Sequence, residues 1–155
     1  MLSGMGMDIK WEKRFINIAR EISTWSKDPS KQIGAVITGV NKQIISQGYN
    51  GFPKGFDDLE YRLKDREQKL KYIVHAEANA IYNALHNGAN LSGATIYVYG
   101  LPPCHECAKA IIQCGISKVV YHCDGEGLNK WKESFAVSEE MFKECNVECY
   151  NIAYS

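Results

Sequence analysis

His75, Glu77, Cys104 and Cys107 are the residues whose types and spacing suit chemistry, in His75-Ala76-Glu77 and Pro103-Cys104-His105-Glu106-Cys107. One imidazole and two thiolates are good zinc ligands, and three protein ligands leave a tetrahedral zinc with one open position. Water in that position has its pKa brought toward neutrality. Glu77 would then serve as general acid and base beside the metal, not as a ligand. Cys104 and Cys107 could instead form a redox pair, but the nearby His-x-Glu and the preceding Pro102-Pro103 favour metal. A structural zinc site would need a fourth ligand from His105, Cys114 or Cys123. His105 suits that role poorly, because it lies between two ligands that share a face.

These residues need particular elements to hold them. Cys104 and Cys107 are three apart near an expected helix start, so both sulfurs can face one way. The helix N-terminus favours their thiolate forms. His75 and Glu77 are two apart, which on a regular helix separates them by about 200°. Both reach one ion only if His75 sits at the helix entrance, outside the regular spiral. Ala76, Ala78, Ala80 and Ala84 favour a helix over 75–87, stopped by Asn87-Gly88, and so many alanines imply tight packing. A second helix is expected over 104–114, ended by Gly115.

The rest of the chain reads as the frame. Trp11, Phe15, Ile18, Ile22 and Trp25 form one helical stripe over 8–26, closed before Pro29. Apolar runs at 33–37 and 43–47 flank Gly39-Val40-Asn41-Lys42, as in an antiparallel hairpin. Gly34 and Ala35 are small enough to admit a helix or ligand closely. Residues 48–58 carry three glycines and Pro53 and read as a loop, unusually rich in aromatic and charged residues. Residues 60–72 interleave both charge signs, the pattern of a solvated helix or flap, and no chemistry is assigned to them. Strands are expected at 94–99, 118–122 and 147–152, with Asp124 to Gly127 as a turn or mobile loop and a helix over 129–145. Strand–helix alternation after the hairpin implies an α/β fold with a largely parallel half-sheet.

A chain of 155 residues fits one domain over 1–155, with residues 1–7 expected to be flexible. The formal net charge of zero argues against polymeric nucleic acid as a partner. No apolar run approaches the roughly 20 residues of a membrane span, and the first residues lack signal-peptide character. Of the six cysteines, Cys114, Cys123, Cys145 and Cys149 read as thiols of a reducing compartment, though a second metal site at His122 and Cys123 stays open. The expected location is the cytoplasm, that of the host if the source is viral.

Together these residues resemble the deoxycytidylate (dCMP) deaminases of the zinc-dependent cytidine deaminase superfamily. H-x-E…P-C-x-x-C is already the signature of zinc nucleobase deaminases. The likeness extends through Ser26-Lys27-Asp28-Pro29, Gly48-Tyr49-Asn50-Gly51-Phe52-Pro53, Gly93 to Val98 and Ile111 to Ile116. It implies a three-layer α/β/α fold with a five-stranded mixed sheet and hydrolysis of dCMP to dUMP and ammonia, feeding dTMP synthesis. It implies Zn²⁺ on His75, Cys104 and Cys107, Glu77 as proton shuttle, and Asn50, Ala76 and Pro103 around the substrate. Relatives suggest a homohexamer activated by dCTP and inhibited by dTTP. The effector site would involve Gly48, Tyr49, Asn50, Gly51, Lys54 and Gly55, with Asp57 and Asp58 near a Mg²⁺-bound triphosphate. Some relatives recognise substrate through an arginine where this chain has His86, a weaker anion partner. His86 stays a candidate substrate contact, but the phosphate would then rely instead on Lys27, Ser30, Lys31 or a neighbouring subunit. Other zinc deaminases, acting on dCTP, cytidine, guanine or tRNA adenosine, are the alternatives, ahead of a purely structural zinc module.

Overall fold

The computed structural model describes residues 8–153, so the expectation for residues 1–7 falls outside it. Five strands form one sheet: β1 (Gly34–Thr38), β2 (Ile44–Tyr49), β3 (Thr95–Tyr99), β4 (Lys118–His122) and β5 (Glu148–Asn151), in the order β2-β1-β3-β4-β5. β1 pairs antiparallel with both β2 and β3. β3, β4 and β5 run parallel, which is the parallel half-sheet implied by strand–helix alternation.

The helices are α1 (Ile9–Ser23), α2 (Glu60–Lys64), α3 (Arg66–Tyr72), α4 (Ala76–His86), α5 (His105–Gln113), α6 (Gly125–Lys130) and α7 (Lys132–Glu144). Strand parity divides the core. Val36, Tyr97 and Val120 face α1 through Phe15, Ile16 and Ala19. Ala35, Ile37, Ile96, Val98 and Val119 face the other way, onto Ala76, Ala80, Ala108, Ile111 and Phe142. This is a three-layer α/β/α arrangement, and the strand residues buried on both faces explain their apolar runs.

Several boundaries differ from the sequence expectation. α1 stops at Ser23, and Thr24 to Ser26 form a turn whose N–H groups bond to Glu21, Ile22 and Ser23. β2 extends to Tyr49, so Gly48 and Tyr49 belong to a strand and not to the loop. The segment from Asp124 is not a plain loop. Asp124 Oδ1 accepts from Gly127 N at 2.8 Å and opens α6. The single helix expected over 129–145 is broken at Trp131.

Gly34 and Gly48 are the two small strand positions that matter most. A Cβ on Gly34 would lie 1.9 Å from Ala19 O of α1, and one on Gly48 would lie 2.4 Å from Ala80 N of α4. The close approach inferred near Gly34 and Ala35 is therefore that of a helix. No described helix is long and apolar enough to cross a membrane.

Candidate active site

α4 is stitched to β2 along its length. Ser46 Oγ donates to Ala80 O at 2.8 Å, Asn83 Nδ2 to Gln47 O at 2.7 Å, and Asn79 Nδ2 to Tyr49 O at 2.8 Å. These bonds fix the N-terminal end of α4. His75 sits there as the N-cap with extended backbone, φ −70° and ψ 154°. It lies outside the regular spiral, as its spacing from Glu77 requires. Cys104 likewise caps α5, its sulfur accepting from Cys107 N at 3.4 Å.

The two helix ends bring the three ligand candidates together. Nδ1 of His75 lies 3.4 Å from Cys104 Sγ and 3.4 Å from Cys107 Sγ. All three ligand atoms fall within 4.8 Å of one another. Tetrahedral zinc with ordinary bond lengths needs an S···N separation of about 3.6 Å, so the donor set fits that ion. It is the one such cluster of three or more His, Cys, Asp or Glu groups among the described residues. His122, Cys123, Asp57 and Asp58 belong to no such group among the described residues, and nothing supports a Mg²⁺ site at Asp57 and Asp58. His105 turns away, its Nδ1 2.9 Å from Ser134 Oγ, and is not a fourth ligand.

The electrostatics are those of a cation site. Cys104 is held down to about 4, first by its hydrogen bond with Cys107 and then by His75, against burial. Cys107 is pushed up in return, first by Cys104 and then by burial. His75 is raised to about 9, mainly by its hydrogen bond with Cys104. Two thiols and an imidazole sharing too few positive charges are the groups from which a divalent metal displaces protons. Glu77 is buried at 4% exposure, and burial raises its carboxyl to about 7. That is where a group must stand to take and give a proton near neutral pH.

A cleft of about 340 Å³ opens over this floor, at the small end of ligand-site volumes. Ala76, Pro103, Asn50, Ser30 and Lys31, the residues expected around the substrate, all line it. Asn50 is heavily committed, however. Its Oδ1 accepts from Ile33 N at 2.9 Å, and its Nδ2 donates to Lys31 O at 2.9 Å and to Asp28 Oδ2 at 3.3 Å. Both amide hydrogens are used, so toward a sugar it can only accept.

Lys27 and His86 are not brought to the cleft within this chain. Lys27 is exposed and pairs with Asp58 Oδ2 at 3.0 Å. His86 ends α4, about 15 Å by helical rise from Ala76. The expected effector residues also stand apart. Gly48 packs on α4, Tyr49 meets Trp25 edge-on at 6.0 Å, and Gly51 bridges Val74. Gly55, with φ +85°, has no neighbour that a Cβ would touch, while Asp57 O accepts from Arg62. None of Gly48, Tyr49, Gly51, Lys54, Gly55, Asp57 and Asp58 lines the cleft.

Sequence reasoning missed Arg66, Lys69 and Trp131, all of which line the cleft. The segment 60–72, to which no chemistry was assigned, thus supplies part of the wall. The available signal was the spacing of Arg66, Lys69, Leu70 and Ile73, a helical stripe hidden by its mixture of charged and apolar types.

A His/Cys/Cys triad at two helix entrances, with a buried carboxylate beside it on a mixed five-stranded sheet, is the arrangement expected of a zinc nucleobase deaminase. Residues 9–123 match the family described as the cytidine and deoxycytidylate deaminase zinc-binding region. The chain belongs to this family. It is 44% identical over 142 residues to a deaminase of Aliivibrio fischeri, covering 90% of this chain and 91% of that one. It is 43% identical over 121 residues to the deoxycytidylate deaminase of Mus musculus, covering 75% of this chain and 66% of the mouse protein. The crystal structure of the dCMP deaminase of cyanophage S-TIM5 with dCMP and dUMP superposes with a TM-score of 0.75. That match has 23% identity and covers 95% of this chain and 100% of that one. At that identity the likeness speaks for the fold.

Proposed function

We propose that this chain hydrolyses dCMP to dUMP and ammonia with a zinc ion held by His75, Cys104 and Cys107. The observation that carries the chemistry is Glu77, buried, raised to about 7 and set beside the triad on the floor of the cleft. The substrate follows from the deoxycytidylate deaminases among its relatives. Zinc bound there would supply Lewis acidity and lower the pKa of water. Glu77 takes the proton of the attacking water, delivers it to the ring nitrogen next to the reacting carbon, and later protonates the departing amine. Ala76, Pro103 and Asn50 hold the nucleoside, with Trp131 as an aromatic wall. The test is ammonia release from dCMP, dCTP, deoxycytidine, guanine and tRNA by the zinc-loaded chain. Preference for dCMP is expected; preference for an unphosphorylated base would overturn the substrate reading.

The same reading includes regulation by dCTP and dTTP at the 48–58 segment, assembly as a hexamer, and a cytoplasmic setting in which the cysteines stay reduced. Lys54, Gly55, Asp57 and Asp58 lie off the cleft, so a nucleotide there would not compete with substrate. Tyr82 and Leu85, exposed at 58% and 73% on α4, supply apolar surface for self-association. His86 follows Leu85, so only a neighbouring subunit's cleft would come within its reach. Light scattering and dCMP kinetics with each triphosphate check these points. A monomer with flat responses would remove them.

A further inference from the structure

The side of α3 that turns toward the cleft carries Arg66, Lys69 and Leu70, continued by Ile73 just beyond its end. That is the i, i+3, i+4, i+7 spacing of one helical face. Such a face ordinarily covers a core with apolar groups; here half of it is cationic and it lines a cavity. Lys69 is only 5% exposed, and its ammonium has one protein partner, Asp28 Oδ1 at 3.0 Å. An ammonium carries three donors, so two are left over on a buried side chain at the cleft wall.

Asp28 is not free to satisfy them. Its carboxylate already accepts from Ser30 N at 2.8 Å, Lys31 N at 3.3 Å and Asn50 Nδ2 at 3.3 Å. It acts as a fixed pedestal that holds Lys69 in place. Arg66 is exposed and has no hydrogen bond or ion pair among the described residues. Arg66, Lys69 and Lys31 all line the cleft, and of the three only Lys69 is paired with Asp28. Asp124, Glu126 and Lys130 line the same cleft.

We infer that Arg66 and Lys69 recognise the terminal dianion of the substrate, a phosphate monoester, and set the preference of this site for a nucleotide over a nucleoside. Asp28 is the positioning residue for Lys69. The inference rests on the deaminase reading of the cleft. A phosphate monoester offers three terminal oxygens to the guanidinium fork and the two spare ammonium donors. A neutral nucleoside would leave those buried donors without partners.

The zinc-loaded chain would be tested as wild type, Arg66→Gln and Lys69→Gln. Two quantities are read: the ratio of kcat/KM for dCMP over deoxycytidine, and calorimetric affinity for dUMP and deoxyuridine. Arg66→Gln should lower the kinetic ratio at least about 10-fold and weaken dUMP by a similar factor relative to deoxyuridine, the usual size of a lost charge-assisted contact. Lys69→Gln should lower both further; if that variant loses its fold, Arg66→Gln decides. Unchanged ratios, or equal losses for nucleotide and nucleoside, would overturn the inference. A wild type that deaminates neither compound would refute the function proposed above, while the dUMP and deoxyuridine affinities would still decide the role of Arg66.

Discussion

Gly48→Ala should disable the site from a position that touches no substrate. Gly48 pairs with Ala35 in the sheet and lies directly under the catalytic helix. An added Cβ would stand 2.4 Å from Ala80 N, 2.7 Å from Ala76 O and 2.8 Å from Asn79 C. Ordinary contact begins near 3.4 Å, and real Cβ atoms almost never come under 3.0 Å, so α4 must retreat by about 0.6–1.0 Å. All three obstacles are backbone, and α4 is tied to β2 by Ser46, Asn79 and Asn83, so no side chain can swing away. Overpacking of this kind costs about 1–3 kcal/mol. The displacement also reaches His75 and Glu77, and a misplacement of about 1 Å can cost on the order of 100-fold in rate. Urea unfolding and kcat/KM for dCMP measure the two effects. Wild-type stability and turnover in Gly48→Ala would refute the reasoning. Loss of a nucleotide response alone would return Gly48 to the effector loop.

Glu77→Gln keeps the shape and removes the proton shuttle; turnover should fall at least about 100-fold, with zinc content by elemental analysis unchanged. Prolonged chelation should abolish ammonia release, and added zinc should restore it; activity in a metal-free chain would exclude the zinc reading. Cys104→Ser and Cys107→Ser should each lower zinc affinity, read by competition with a chromogenic chelator, because a hydroxyl does not ionise as a thiol does. Asn50→Ala should cost about 2–4 kcal/mol of stability, since it strands Ile33 N and weakens the loop around Asp28. A raised KM at full stability would instead make Asn50 a pure substrate contact.

The amino-acid sequence by itself determined the chemistry and most of the layers. His75, Glu77, Cys104 and Cys107 are local motifs whose spacing carries its own geometric demand, and His75 meets that demand by capping α4 outside its spiral. The parallel strands were legible because burial on both faces leaves continuous apolar runs such as Val119-Val120-Tyr121. The break at Trp131 and the early end of α1 at Ser23 were not legible, since turns and caps settle them and not periodicity.

Only the tertiary structure decided what surrounds the chemistry. Lys69 and Asp28 are 41 residues apart and form a buried pair because α3 folds back over the loop after α1. In the sequence that lysine is one charge among many of both signs. Asn50, expected at the sugar, is also the hub that fastens residues 26–33, since its amide spans three backbone and side-chain partners at once. Lys27, expected from its loop to meet a phosphate, and His86, which stands where relatives carry an arginine, lie outside the cleft because the direction of a side chain depends on which face of the sheet and which end of the helix it occupies. Short-range spacing can specify a metal's ligands, whereas the wall that selects the substrate is assembled from segments far apart in the chain.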